Sequence, residues 1–486
     1  MKKLLKNRIL MCAVTILPWI FHGCQESHEG SGISSLPASV EVIQESFGPE
    51  NSLFDRSSKN GDVIVQLFNW PFAMITEEMP LLKELGYGQI HVSPPNLTID
   101  SDQWWGRYQP VDYRLIAGPL GDEAQFKTMI ETAHQHGIKI LIDVVLNHTA
   151  NESFPMPAAG LRLAEQYGPL FTPQDYHPEA CITDYNNPFQ VRRNRLCGAP
   201  GDRGLPDLDH NSPRVLQVQK AYIEKLINLG VDGFRLDAMK HIDPDYFHRL
   251  FTPEQRRKFF FFGEIITESA HFNRDLAPYM DATSFSFYDF PLRETIQKAL
   301  GYGGFLGDLL STELVATKRA LPWNRSVTFV MAHDIPNNDV FRSMILDPVD
   351  EMLGYGYILG RSEGVPYVFS DLGRSNGAGL RDERWAFAHR SPMLAKMIKF
   401  HNQVLGSLQQ NIIANACLAV FTRDQKGLVA INKCAESVDI NIDPRWDLVT
   451  SAYELFSESS VPVTARGREM RLKIPGRSVR MYLTGF

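Results

Sequence analysis

From residue 63 onward, short apolar runs alternate with segments whose apolar positions recur at helical spacing. "VIVQLF" (63–68) reads as a buried strand and "AMITEEMPLLKELG" (73–86) as an amphipathic helix. "QIHVSP" (89–94) is a second strand. "GDEAQFKTMIETAHQHG" (121–137) is a second helix with Gly137 at its stop, and "KILIDVVLNH" (139–148) is a third strand. After a break, the helix "PRVLQVQKAYIEKLINLG" (213–230) restarts the alternation. Strands follow at 233–238, 259–265, 282–287, 326–334 and 365–370, with a helix at 291–301. Strands this continuously apolar are covered on both faces, which argues for a parallel sheet. Eight strand–helix units over about 340 residues predict a TIM barrel.

The alternation lapses twice. Residues 149–209 are rich in Pro, Asn, Gly and Tyr and have no period. Sixty such residues exceed a simple loop and predict an inserted subdomain after strand three. From about 405 the period becomes that of β-strands, as in "ACLAVFTR" and "GLVAINK". The expected fold is α/β: a (β/α)8 TIM barrel (59–148 and 210–404), an inserted irregular subdomain (149–209) and a C-terminal antiparallel β domain (405–486).

Ahead of the barrel, "MKKLLKNR" is basic and "ILMCAVTILPWIF" is a 13-residue apolar run. A membrane-spanning helix needs about 20 residues, so 1–23 reads as a signal peptide. Gly23–Cys24 and the polar tract behind it resemble a bacterial lipoprotein site. Residues 24–58 then form a linker, and a lipid on Cys24 would attach the protein to a membrane of the cell envelope. Ordinary secretion or periplasmic release is the alternative. The pairs Cys181/Cys197 and Cys417/Cys434 are either disulfides of an oxidising compartment or free thiols. Net charge is −7, with no basic excess, which argues against nucleic acid as a partner. A monomer is expected.

In a barrel of this kind, chemistry gathers at the C-terminal ends of the strands. Strand three ends with Asp143, Asn147 and His148, strand four with Arg235, Asp237, Lys240 and His241, strand five with Glu264, and strand seven with His333 and Asp334. Any one of these acids alone reads as a helix cap or a solvated residue. Three acids converging on one rim (Asp237, Glu264, Asp334) repel and raise one another's pKa, an arrangement that accompanies function. With no G-x-G-x-x-G or P-loop present, the chemistry that fits is glycoside hydrolysis, which needs a carboxylate nucleophile and a protonated carboxyl.

The motifs carry a family resemblance. "DVVLNH" (143–148), "GFRLDAMKH" (233–241), "FFGEI" (261–265), "FVMAHD" (329–334) and "LPDLD" (205–209) resemble, in order, the conserved segments of the α-amylase family. "SPPN" (93–96) and "WWGRYQPVDY" (104–113) resemble its animal-type members. The resemblance implies Asp237 as nucleophile, Glu264 as general acid/base and Asp334 as transition-state stabiliser. It places Arg235, His148 and His333 around the sugar that is cut, with Tyr108 stacked on it. Trp105 lines neighbouring subsites, and Lys240 and His241 the leaving-group side. It also implies a structural Ca²⁺ held by the side chains of Asn147 and Asp207 and the carbonyls of His241 and Arg192. Ala332 stands where chloride-binding members carry an asparagine, so the resemblance does not extend to a chloride site. "IPNNDVFR" (335–342) replaces a glycine-rich loop. The implied activity is endo-cleavage of α-1,4-glucosidic bonds in starch and maltooligosaccharides, with retention. The alternatives are exo-acting hydrolysis, transglycosylation, or a non-catalytic glycan-binding surface lipoprotein.

Overall fold

Runs that are apolar at consecutive positions become strands only where both faces can be covered. The computed structural model describes residues 61–198, 201–375, 383–464 and 468–485, and the expected signal peptide, Cys24 and linker lie outside them. Eight such runs form β1 (Ile64–Leu67), β2 (Gln89–Val92), β3 (Lys139–Val144), β4 (Gly233–Leu236), β5 (Phe260–Gly263), β6 (Ser286–Tyr288), β7 (Ser326–Phe329) and β8 (Val365–Ser370). Every residue in them except Lys139 is buried. Each strand pairs in parallel with its sequence neighbours, and β8 returns to β1 with Ile64 opposite Tyr367, closing the barrel. The protein is therefore a TIM barrel.

The outer layer contains the helices Phe72–Leu85, Glu123–Gln135, Pro213–Leu229, Phe290–Leu300, Pro348–Gly360 and Pro392–Val404. Their ends are chemically marked. Asp122 and Gln125 form a capping box, Ser212 caps the helix at Pro213, and Gly230 takes a left-handed conformation after Leu229. The sixth strand is shorter and later than its apolar pattern suggests. Residues up to Ala282 belong to the helix Ala277–Ala282, and Arg325 donates to the carbonyls of Thr283 and Phe285. A side chain takes acceptors that a longer strand would offer its neighbours.

The insertion leaves the end of β3 and returns to it. Thr149 N–H donates to the Pro206 carbonyl (3.1 Å), Leu208 N–H donates to the Asn147 carbonyl (3.0 Å), and His148 bridges to Asp207. Though its sequence shows no period, the insertion contains one helix of ten residues, Ala158–Tyr167, and a Cys181–Cys197 disulfide.

Beyond the barrel lies an antiparallel sheet of eight strands between Gln409 and Thr484, with a Cys417–Cys434 disulfide. Arg423 fastens this sheet to the barrel helices. Fully buried, it donates from Nη1 to the carbonyls of Gly360 (2.8 Å) and Arg361 (2.7 Å), and from Nη2 to those of Val404 (3.1 Å) and Ser407 (2.9 Å). These carbonyls close the helices Pro348–Gly360 and Pro392–Val404, where acceptors are left unpaired and the helix dipole favours a cation. Arg423→Met is expected to destabilise the protein by about 3–5 kcal/mol, since several buried acceptors lose their donor together. A denaturant midpoint equal to that of the parent protein would disprove the clamp.

Candidate active site

Strand ends aim the polar residues. Asp143 lies within β3 and Arg235 within β4, while Asp237 and Glu264 follow the last residues of β4 and β5. Just after Asp237 the chain turns sharply at Ala238, which adopts φ 46°, a left-handed conformation costly for a residue with a Cβ. The turn points the Ala238 N–H at Glu264 Oε2 (3.1 Å). Gly263 packs beside it, where a Cβ would crowd Met239 Sδ and the Phe287 ring.

Arg235 is the hub. Its Nη1 donates to Asp143 Oδ1 (2.9 Å) and Asp237 Oδ1 (2.5 Å), and its Nη2 donates to Glu264 Oε1 (2.5 Å). Asp334 is hydrogen-bonded to Glu264. Three buried carboxyls thus share one guanidinium with a fourth, half-buried, beside Glu264, and they cannot all be ionised. Burial pushes Asp143 up, but Arg235 and His91 outweigh it and hold the carboxyl down at about 2. For Glu264, burial wins over Arg235 and raises the carboxyl to about 8. Asp237 and Asp334 are also raised by burial, against the pull of Arg235. The cluster titrates as a unit that keeps protons in neutral water.

Around it stand neutral rings. His333 lies between Phe68 (centroids 4.7 Å apart) and Tyr108 (5.0 Å). Gln66 Nε2 bonds its Nδ1 at 3.0 Å, and burial and then Arg235 push its pKa well down. His148 contacts the Tyr108 carbonyl through Nε2 (3.0 Å) and is lowered by burial to about 4. The Tyr108 hydroxyl donates to Asp143 Oδ2 (2.8 Å). Uncharged donors and acceptors on apolar faces suit an uncharged, hydroxyl-rich ligand.

These groups open onto a cavity of about 580 Å³. It brings together Asp237, Glu264, Asp334, Trp105, Tyr108, His148, Lys240, His241 and His333. Arg235, expected around the sugar, is instead fully buried behind the carboxylates, and its role is to hold them. Lys240 reaches the cavity with its ammonium held by Asp275 (2.9 Å), and His241 Nδ1 contacts the Val191 carbonyl (2.8 Å). Sequence reasoning missed several members. Asp143, the strongest anchor of Arg235, looked like one more strand-end acid. Tyr185 sits in the insertion without a period to mark it, and Val340 and Phe341 come from the loop that replaces the glycine-rich one. Residues 373–377 have the G-x-S-x-G spacing of a serine nucleophile, but Ser375 is buried and its hydroxyl accepts from Asn337 (3.0 Å).

Where the insertion rejoins β3, Asn147 Oδ1 and Asp207 Oδ1 are buried without a hydrogen-bond partner. Asp207 Oδ2 contacts His177 Nδ1 (2.6 Å), and burial raises this carboxyl to about 6. Two adjacent hard oxygens without partners fit a cation of the calcium type. Among the described residues no group of three or more His, Cys, Asp or Glu is gathered for a metal. Such a site would therefore depend on amide and backbone oxygens as well.

A parallel barrel with a carboxylate cluster on its C-terminal rim, beside an aromatic wall, defines a barrel glycoside hydrolase. The family model "Alpha amylase, catalytic domain" matches residues 71–260. An α-amylase of Aeromonas hydrophila is 39% identical over 451 residues, covering 86% of this chain and 94% of that one. An α-amylase of Thermomonospora curvata is 29% identical, covering 77% and 64%. The structure of α-amylase I from Eisenia fetida superposes with a TM-score of 0.72 at 23% identity, covering 87% of this chain and 97% of that one. A mutant of that enzyme in complex with maltohexaose gives 0.71. The chain belongs to the α-amylase family of hydrolases. Asp143→Asn is expected to lower kcat/KM on α-glucan about a hundredfold, because Arg235 and Tyr108 lose their common anchor. An unchanged value with intact circular dichroism would remove Asp143 from the site.

Proposed function

We propose that the protein is an endo-acting α-amylase that cuts internal α-1,4-glucosidic bonds in starch and maltodextrins with retention of configuration. The observation that carries this reading is the single guanidinium of Arg235, which holds Asp237 and Glu264 on neighbouring nitrogens at a cavity floor. Carboxylates so held lie close together, as a retaining pair does at about 5–5.5 Å, rather than apart by the width of a water. The maltohexaose bound to the Eisenia fetida mutant supports an oligosaccharide as ligand.

The steps follow from the charges. Asp237, 2.5 Å from Arg235 Nη1, reacts as the carboxylate, the state that the guanidinium contact favours against burial. It attacks the anomeric carbon while the glycosidic oxygen takes the proton of Glu264, whose carboxyl burial keeps protonated up to about pH 8. The leaving chain departs and a glycosyl ester on Asp237 remains. Glu264, now a carboxylate, takes a proton from water as that water displaces Asp237. Asp334 faces the positive charge that develops on the sugar. His148 and His333, neutral through burial, bond hydroxyls.

A structural Ca²⁺ on Asn147, Asp207 and the carbonyls of His241 and Arg192 would tie the insertion to the barrel. The unpartnered oxygens of Asn147 and Asp207, and the bond between His241 and Val191 next to Arg192, support it. We further propose export, with Cys24 lipidated on the cell envelope.

Asp237→Asn is expected to abolish starch hydrolysis by at least about a thousandfold. In the parent enzyme, iodine colour should fall well before reducing ends accumulate, and kcat/KM should decline as pH rises through about 8, where the proton on Glu264 is lost. Reducing ends appearing ahead of the colour loss would mean exo action. For the cation, chelation should lower Tm by several degrees, Ca²⁺ should restore it, and Asp207→Asn should suppress both effects. A Tm indifferent to chelator and Ca²⁺ would exclude the metal.

A further inference from the structure

Lys240 reaches the catalytic cavity under restraint. Its side chain is 15% exposed, and its ammonium donates to Asp275 Oδ2 (2.9 Å) and to the Ile266 carbonyl (3.3 Å). An ammonium has three N–H groups, so one is left for a ligand. Asp275 is buried and does not itself line the cavity. Arg274 grips both its oxygens, through Nε (2.7 Å) and Nη2 (2.9 Å), and Thr267 Oγ1 donates to Oδ2 (3.1 Å). Burial alone would raise this carboxyl, but Arg274 and then Lys240 hold it below its ordinary value. Arg274 Nη1 donates to Asn186 Oδ1 in the insertion. Asn186 adjoins Tyr185, which lines the cavity and meets the His241 ring edge-on, with centroids 6.4 Å apart. One buried carboxylate thus joins the turn after β4, the segment after β5 and the insertion.

Other features of the molecule carry less. The groove lined by Arg114, Arg214 and Lys225 has its cations engaged by Asp112, Asp175 and Glu123. The buried chain Ser370–His389–Glu78 resembles a nucleophile relay, but Ser370 is fully buried.

We infer that Asp275 is a positioning residue that sets affinity for the sugars on the leaving-group side of the cut, by holding Lys240 in place. The inference rests on the α-glucan hydrolase reading above. Glu264 gives its proton to the departing chain, so groups that continue its strand end border that chain. Ile266 is two residues beyond Glu264, and Lys240 is bonded to it. A free lysine samples many rotamers, and fixing it beforehand spares the substrate that ordering cost. Without the carboxylate, Arg274 and Lys240 would be left as neighbouring like charges, and the ammonium would turn toward water. Asp275 bonds none of the reacting carboxyls, so the chemical step itself is spared.

The test compares Asp275→Asn with the parent on maltoheptaose and on nitrophenyl α-maltotrioside, whose leaving group carries no sugar. The variant should raise KM on maltoheptaose about tenfold with kcat within about twofold, and keep kcat/KM on the nitrophenyl substrate within about twofold of the parent. In a Lys240→Met background the same substitution should change KM by less than about twofold, because the ammonium it acts through is gone. Thermal melts check that the variants fold. Asp275→Glu, which keeps the charge on a longer arm, gives a second reading: KM on maltoheptaose should rise only about threefold, with the nitrophenyl substrate again spared. Equal losses on both substrates, an unchanged KM on maltoheptaose, or an undiminished effect in the absence of Lys240 would overturn the assignment. A parent enzyme inactive on every α-glucan would instead overturn the reading on which it rests.

Discussion

A fully buried guanidinium between three carboxylates is the constraint around which this molecule is arranged. Taking Arg235 out of water is costly, and the cost is offset only by close, well-directed partners. Asp143, Asp237 and Glu264 supply them from three adjacent strand ends. The partners in turn depend on the barrel, because β3, β4 and β5 fix their spacing through parallel register, with Asp143 opposite Arg235 and Arg235 opposite Phe262. Burial first, and then the neighbouring charge of Asp334, keep a proton at Glu264 against the pull of Arg235. Fold and acidity are thus set by the same few distances.

Much of this was legible in the sequence because barrel strands announce themselves by continuous apolar runs. The eight runs, the break after β3 and the change of period near 405 all have counterparts in the structure. Rim acids such as Asp237 and Glu264 stood out because charge interrupts those runs. The remainder was hidden for physical reasons. The start of β6 depends on which carbonyls Arg325 takes, a contact across some forty residues. The helix Ala158–Tyr167 lies in a stretch whose neighbours carry no period. Asp143 had the same sequence signature as any strand-end acid, and only the partners of Arg235 set it apart. That Arg235 also holds Asp143 and Glu264 left no sign in the sequence, where only its spacing from Asp237 is visible.

The aromatic rings show the same separation of pattern from contact. Tyr108 and His333 are about 220 residues apart yet lie nearly parallel, 8° between planes, with Phe68 on the other face of the imidazole. Burial, and then the charge of Arg235, keep that ring uncharged in a cluster otherwise crowded with carboxyls.

The insertion departs and returns within a single bridge, His148 to Asp207. What lies between can therefore lengthen or shorten with little effect on the barrel, because the entropy of closing such a loop grows only with the logarithm of its length. The reacting groups and the wall that meets the rest of the substrate are in this sense separately evolvable. Drift in the insertion can redraw which polymers are accepted while the hydrolytic apparatus stays as it is.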